Sequence, residues 1–268
     1  MAKHVLIIGG GPAGCSAAMT LRLRGEDVTI LYSGEGALGR AKRVDNYPGL
    51  AQMPGGEMLS AFRRQAEEMG AALRPGVARY IQRTRRGFTV LAGEDMIACD
   101  AVLLASGVAR VNLIPGEEAL VGRGVSYCAT CDGMLYRGRD VVVLGWTESA
   151  EREADFLRRI GCAVRFHDRP QGVEILGEDA VTGVRVNGRE EKADAVFLLR
   201  PAVAPTALLP GLAVENGAVT VDRNMATNLP GVFAAGDCTG GPYQAAKAAG
   251  EGLIAGQSAA KWADRTNQ

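Results

Sequence analysis

The chain has 268 residues and a mass of 28.1 kDa, a length that predicts about two domains or one large one. Its composition, 47% hydrophobic and 22% charged with a mean hydropathy of +0.02, excludes long disorder, fibres and collagen-like repeats. Thirty basic residues balance thirty acidic ones, so no global field draws the chain to nucleic acid or to an anionic membrane, and neither is expected as a partner.

In chain order, an apolar strand (Val5 to Ile8) leads into a glycine turn (Gly9 to Gly14), an alanine-rich helix (Ala13 to about Arg24), a turn at Gly25 and a second strand (Val28 to Leu31). This is a βαβ pattern. Further strands are expected at Val102 to Leu104, Val141 to Leu144, Ala163 to Phe166, Val181 to Val186, Ala195 to Leu199 and Val219 to Val221. Helices are expected at Met58 to Met69, Glu148 to Ile160 and Tyr243 to Trp262. A second strand, turn, helix, strand series begins at Asp140, and Pro201 and Pro205 mark a linker. The fold class predicted is therefore α/β, with two Rossmann-like, doubly wound, three-layer domains, one inside the other. The arginines Arg83, Arg85 and Arg86 fit a solvated hairpin edge.

No apolar run approaches the ~20 residues that span a bilayer. The N-terminus runs straight into a strand without the pattern of a signal peptide, so the expected location is cytoplasmic. Six cysteines, with only Cys128 and Cys131 closely spaced, fit a reducing compartment with one special pair.

Gly9, Gly11 and Gly14 fit GxGxxG between strand and helix. The first permits the tight turn, the second lets backbone approach a pyrophosphate, and the third lets the helix pack on the strand. Pro12 and Ala13 open a helix whose unpaired N–H groups face the phosphates. The acidic residue expected about 20 positions on for the ribose is not clean: Ser33 ends the second strand and Glu35 follows it.

Cys128 and Cys131 form CxxC in GRGVSYCATCDG. A lone CxxC could be half of a zinc site, but there is no second CxxC, and His4 and His167 are the only histidines. A dithiol/disulfide couple is the better reading, in which one thiolate attacks a disulfide and its neighbour resolves the mixed disulfide. Asp132, adjacent, can move the accompanying proton; its plainer reading is a helix cap or solvated turn. Cys15, Cys99, Cys162 and Cys238 read as small buried residues, and Trp146 as packing.

GGGPAG, NYPG (Asn46 to Gly49), the ASG turn (Ala105 to Gly107), IPGEE (Ile114 to Glu118), CATCDG and GVFAAGDCTGGPYQAAKAAGEG (Gly231 to Gly252) stand in one order along the chain. In this the sequence resembles the low-molecular-weight thioredoxin reductases over nearly its whole length. The resemblance implies an FAD-binding domain made of residues 1–110 and 204–268, with residues 111–203 as an inserted pyridine-nucleotide-like domain carrying the redox pair. It implies that Cys131 faces the flavin, that Asp132 is the acid/base, and that Asp237, after Gly236, holds the ribityl chain. Asn46 and Gly107 would belong to the same cofactor site. The helix starting near Tyr243, Gln244 and Ala245 would point its N-terminus at the flavin, where reduced flavin gathers negative charge. A homodimer is implied too.

Departures from the family pattern redirect the expected donor. Where members carry a second glycine fingerprint for NADPH, this chain reads Gly145, Trp146, Thr147, Glu148, Ser149, Ala150, with Thr147 where bare backbone should meet pyrophosphate. His167, Asp168, Arg169 and Pro170 stand where arginines should grip a 2′-phosphate, and Asp168 has the wrong sign. The insert is also shorter than the family's. At the flavin end, Gly36, Ala37 and Leu38 replace the family's GGQ, and Tyr243 replaces an arginine.

The sequence is thus most similar to the ferredoxin-dependent flavin thioredoxin reductases. Electrons would come from ferredoxin, pass through FAD and the Cys128/Cys131 pair, and leave to thioredoxin. Three alternatives stay open: a dithiol oxidase using oxygen, an NAD(P)H-dependent thioredoxin reductase with an atypical nucleotide site, and a flavin-bearing redox sensor.

Overall fold

The computed structural model describes residues 2–50, 52–93, 95–107, 114–120, 122–127, 129–147, 150–200 and 205–265. The side chains of Glu118, Cys131, Pro205, Thr206 and Arg265 also lie outside the description. The chain divides into two compact units, Met1–Ala109 with Leu208–Gln268, and Arg110–Ala207.

In the first unit, the apolar run His4–Ile8 forms β1, Pro12–Leu23 forms α1 and Asp27–Tyr32 forms β2, with Val5 opposite Val28 in parallel register. Proline is tolerated in the first turn of α1, where its missing N–H has no helical partner to lose. Two helices follow, α2 (Gly36–Gly39) and α3 (Gly55–Glu68), then β3 (Ala72–Pro75). An antiparallel meander of β4 (Ala78–Thr84), β5 (Gly87–Ala92) and β6 (Asp95–Cys99) comes next, and β7 (Ala101–Leu104) returns beside β1. The arginines Arg85 and Arg86 occupy the β4–β5 turn, as the charge run suggested.

The second unit contains α4 (Glu117–Leu120), β8 (Val125–Ser126), α5 (Ala129–Asp132), a 3₁₀ turn Gly133–Tyr136, β9 (Asp140–Gly145) and α6 (Ala150–Arg159). It continues with β10 (Ala163–Asp168), β11 (Val173–Leu176), β12 (Gly183–Val186), β13 (Arg189–Lys192) and β14 (Ala195–Leu199), and α7 (Pro205–Leu208) follows. Back in the first unit lie the ribbon β15 (Val214–Glu215) and β16 (Ala218–Val219), then β17 (Val232–Ala234) and the long α8 (Ala245–Arg265).

Both units are built around a parallel sheet whose strand order reverses direction once. In the first the order is β17-β7-β1-β2-β3, and in the second β10-β9-β14-β8. The switch points lie between β1 and β7 and between β9 and β14, and in doubly wound sheets the crevice beyond the strand ends at such a point is where ligands sit. Alternation decides the layers of the first unit. Val5, Ile7, Val28, Ile30 and Leu103 bury one sheet face against the alanines of α1 and α8, and β5 packs against β7. Helices α1 and α8 approach closely because Gly252 faces Ala13: a β-carbon there would sit 2.1 Å from the Ala13 carbonyl oxygen.

Several elements differ from expectation at their ends. The strand expected from Val181 starts at Gly183, because Val181 leaves the ladder to bond the Arg123 carbonyl while its side chain stays in the core. The strand expected at Val219 to Val221 is only the two-residue β16, and the last helix begins at Ala245 rather than Tyr243. Among the described residues, no helix is long and apolar enough to cross a membrane.

Candidate active site

The first unit's switch point is an open glycine crevice. Gly9, at φ +120°, follows β1, and a β-carbon there would lie 2.0 Å from the carbonyl oxygen of Ala105, which follows β7. Gly14 is as constrained, its absent β-carbon falling 1.9 Å from the Gly9 oxygen. Gly11 differs: nothing lies within 4 Å of where its β-carbon would be. Gly11 also caps α1 without any side-chain hydrogen bond, so the first N–H groups of α1 are presented bare at the positive end of the helix. This is the cradle a pyrophosphate requires.

Other expected cofactor residues gather in the same unit. The 3₁₀ turn Gly236–Thr239 abuts α1, since a β-carbon on Gly236 would lie 2.8 Å from that of Ala13. Asn46 donates its side-chain N–H to Gln244 Oε1, joining positions 198 residues apart just before α8 begins at Ala245. Ser33 and Glu35 lie exposed in the loop after β2, Gly107 follows the Ala105 turn with φ +71°, and Tyr243 is exposed. The carboxylate of Asp237 accepts no hydrogen bond from a described residue, and burial raises its pKa above the ordinary aspartate value, against the pull of Lys247 and with the push of Glu251. A half-buried acceptor set beside a bare helix N-terminus fits the hydroxyls and phosphates of FAD. Gly9, Gly11, Pro12, Ala13, Gly14 and Asp237 are the residues that would hold it.

Sequence reasoning missed Arg63. From α3 its Nε donates to the Gly10 carbonyl at 2.9 Å and its Nη2 to the Gly34 carbonyl at 2.8 Å, with the guanidinium 4.2 Å above the Tyr32 ring. It ties the glycine turn to the loop after β2, and no local signal in the sequence marks it.

In the second unit, Cys128 lies outside the described residues. Cys131 belongs to α5, its side chain also outside the description. Asp132 ends α5 and accepts the Ser126 hydroxyl at 2.7 Å (Oγ to Oδ2). The next residues, Met134 and Leu135, are 57% and 75% exposed, an apolar surface directly after the motif.

At the second switch point the strands β9 and β14 are followed by large side chains where β1 is followed by glycine. The residue after β9 is Trp146, whose N–H bonds the Leu199 carbonyl at the end of β14 at 2.8 Å. The residue after β14 is Arg200, whose guanidinium lies 5.2 Å from the Trp146 ring centroid. Arg200 is fixed by a bidentate pair with the fully buried Glu117, Nη1 to Oε1 at 2.9 Å and Nη2 to Oε2 at 2.8 Å. Glu117 further accepts the Tyr127 hydroxyl at 2.9 Å and the Ile114 N–H at 2.8 Å. Tyr127 is the residue before Cys128. Asp168 ends β10 beside Gly145, exposed.

Two nested doubly wound units, one with a glycine crevice and one with a CxxC motif, define a flavoprotein oxidoreductase of thiols and disulfides. The chain matches the pyridine nucleotide-disulphide oxidoreductase family over residues 3–171 and 147–252. A thioredoxin reductase of Mycolicibacterium smegmatis is 36% identical across 96% of both chains. Among solved structures, a ferredoxin-flavin thioredoxin reductase from Clostridium acetobutylicum has a TM-score of 0.87 at 33% identity, covering 100% of this chain and 99% of the other. An atypical thioredoxin reductase from Desulfovibrio vulgaris Hildenborough has a TM-score of 0.80 at 30% identity, covering 98% and 99%. The chain belongs to the pyridine nucleotide-disulphide oxidoreductase family, among its thioredoxin reductases, and its cofactor is FAD.

Proposed function

We propose that this enzyme reduces the disulfide of thioredoxin with electrons from a protein donor, ferredoxin, and not from a pyridine nucleotide. The observation that supports the donor assignment is the pair of large side chains that follow the strands at the second switch point. A dinucleotide needs bare backbone at the strand ends, and here Trp146 and Arg200 stand there, stacked and clamped by Glu117. Thr147 adds a β-branched side chain in the same turn, and Asp168 sets a negative charge beside it. The C. acetobutylicum ferredoxin-flavin enzyme is similar along the full chain.

When bound, FAD supplies the step between single-electron donors and a two-electron couple. The Cys128/Cys131 disulfide takes up two electrons and two protons to become a dithiol. One thiolate of this pair then attacks a sulfur of the thioredoxin disulfide, forming a mixed disulfide and releasing a thioredoxin thiolate, which takes a proton. The remaining thiol loses its proton and attacks its neighbour's sulfur, restoring the Cys128/Cys131 disulfide and freeing the second thioredoxin thiol. Asp132, held by Ser126, carries protons for this exchange. The exposed Met134 and Leu135 offer the incoming protein an apolar foothold beside the motif.

Single replacements test the dithiol route. Cys128→Ser and Cys131→Ser should each abolish thioredoxin reduction with FAD still bound, and dithionite titration should find two electrons fewer than in the parent enzyme. Turnover retained in both variants would mean that the chemistry lies elsewhere.

A further inference from the structure

The turn that carries Asp237 is held by an ion pair to which neither the family resemblance nor the proposed chemistry gives a role. Lys247 and Glu251, four residues apart on α8, lie 2.9 Å apart (Nζ to Oε2), with side chains only 16% and 19% exposed. Glu251 Oε2 accepts the Gly236 N–H at 2.8 Å and lies 2.8 Å from the Thr239 hydroxyl. Lys247 Nζ donates to the Gly236 carbonyl at 2.8 Å and to the Gly240 carbonyl at 2.7 Å, with Thr239 Oγ1 at 3.1 Å. Both polar backbone groups of Gly236 are therefore taken by one pair of side chains. Gly236 has φ +85° and no room beside Ala13, so the turn has one seat, and the pair fixes it there.

We propose that Lys247 and Glu251 are positioning residues of the cofactor site: by fixing the Gly236–Thr239 turn they set the orientation of Asp237, and through it the affinity for FAD. The inference rests on the reading of Asp237 as a cofactor-holding residue. Charge points the same way as geometry. Lys247 is the cation that offsets the burial of Asp237 and the repulsion from Glu251, so removing it takes away the positive charge that both carboxylates feel.

The test is a double-mutant cycle on the holoenzyme, with FAD affinity read from the recovery of flavin fluorescence on dilution and the midpoint potential of the bound flavin measured in parallel. Lys247→Met should weaken FAD binding about tenfold or more, and Lys247→Arg should recover most of the loss. Asp237→Ala should weaken binding at least as much. In the Asp237→Ala background, Lys247→Met should add less than about threefold, because Lys247 acts through Asp237. If Lys247→Met does not fold, Glu251→Gln reads the same coupling from the other half of the pair. Unchanged affinity and potential in Lys247→Met, or a loss that adds in full to that of Asp237→Ala, would overturn the inference while leaving Asp237 in its role. Unchanged affinity in Asp237→Ala would remove the underlying reading itself.

Discussion

Ser126 donates its hydroxyl proton to Asp132, Oγ to Oδ2 at 2.7 Å, between the last residue of β8 and the last residue of α5. A buried hydroxyl thus orients the carboxylate that adjoins Cys131. Ser126→Ala removes the donor with little change of volume, and a hydrogen bond to a charged group contributes roughly 1.5–3 kcal/mol. Turnover with thioredoxin should fall on the order of tenfold with the flavin-to-protein ratio unchanged, and Asp132→Asn should cost about a hundredfold. Steady-state kinetics decide it, and wild-type rates in Asp132→Asn would remove Asp132 from the proton path.

Glu117 carries a structural prediction for the inserted unit. It is fully buried and satisfies Arg200, Tyr127 and the Ile114 N–H at once. Breaking a buried pair leaves an uncompensated charge, at a cost of about 3–5 kcal/mol. Glu117→Leu should lower the melting temperature sharply, whereas Glu117→Leu with Arg200→Leu should recover much of the loss. Calorimetry on the holoenzymes distinguishes the two, and equal destabilisation in both would mean that the charge pair is not what the unit depends on.

The four remaining cysteines should be inert in the native protein. Burial pushes the Cys15 thiol up to about 11 and those of Cys99 and Cys238 up to about 12, and raises that of Cys162. A raised thiol pKa means less thiolate at any given pH, so at pH 8 about one in a thousand Cys15 thiols is reactive, and fewer for Cys99 and Cys238. Iodoacetamide labelling of the reduced holoenzyme, mapped by mass spectrometry, should find label at Cys128 and Cys131 alone. Raising the pH to 9 should leave that pattern unchanged. Stoichiometric label on Cys15 or Cys238 under native conditions would contradict the burial argument.

What could be read from the sequence was what is local. The glycines after β1 and the alanines of α1 state their own requirements, and Val141 to Leu144 and Ala195 to Leu199 are apolar enough to be strands on both faces. Edge strands hid. β13 is Arg-Glu-Glu-Lys and β3 ends in proline, sequences with no strand signal, ordered by the neighbours they bond. In the candidate site, GxGxxG was legible because backbone conformation demands its glycines, whereas Gly236–Asp237 was marked only by the family resemblance. Arg63 on Gly10 and Gly34, Asn46 on Gln244, and Arg200 on Glu117 were not, because each joins segments far apart in the chain. Lys247 and Glu251 did carry a signal, the i, i+4 spacing of opposite charges on α8, although their backbone partners at Gly236 did not. Trp146, read as packing, does pack, against the core of the inserted unit and beside Arg200.

The central claim is the identity of the electron donor, and anaerobic stopped-flow spectroscopy tests it most directly. The oxidised holoenzyme is mixed in parallel with NADPH, NADH and reduced ferredoxin, and the visible absorbance of the flavin is followed. Trp146 and Arg200 after the ends of β9 and β14, with Thr147 and Asp168 beside them, predict rapid bleaching by ferredoxin and none above background by either nucleotide, even at millimolar concentration. Fast bleaching by NADPH or NADH would contradict the account and make this chain a pyridine-nucleotide-dependent reductase.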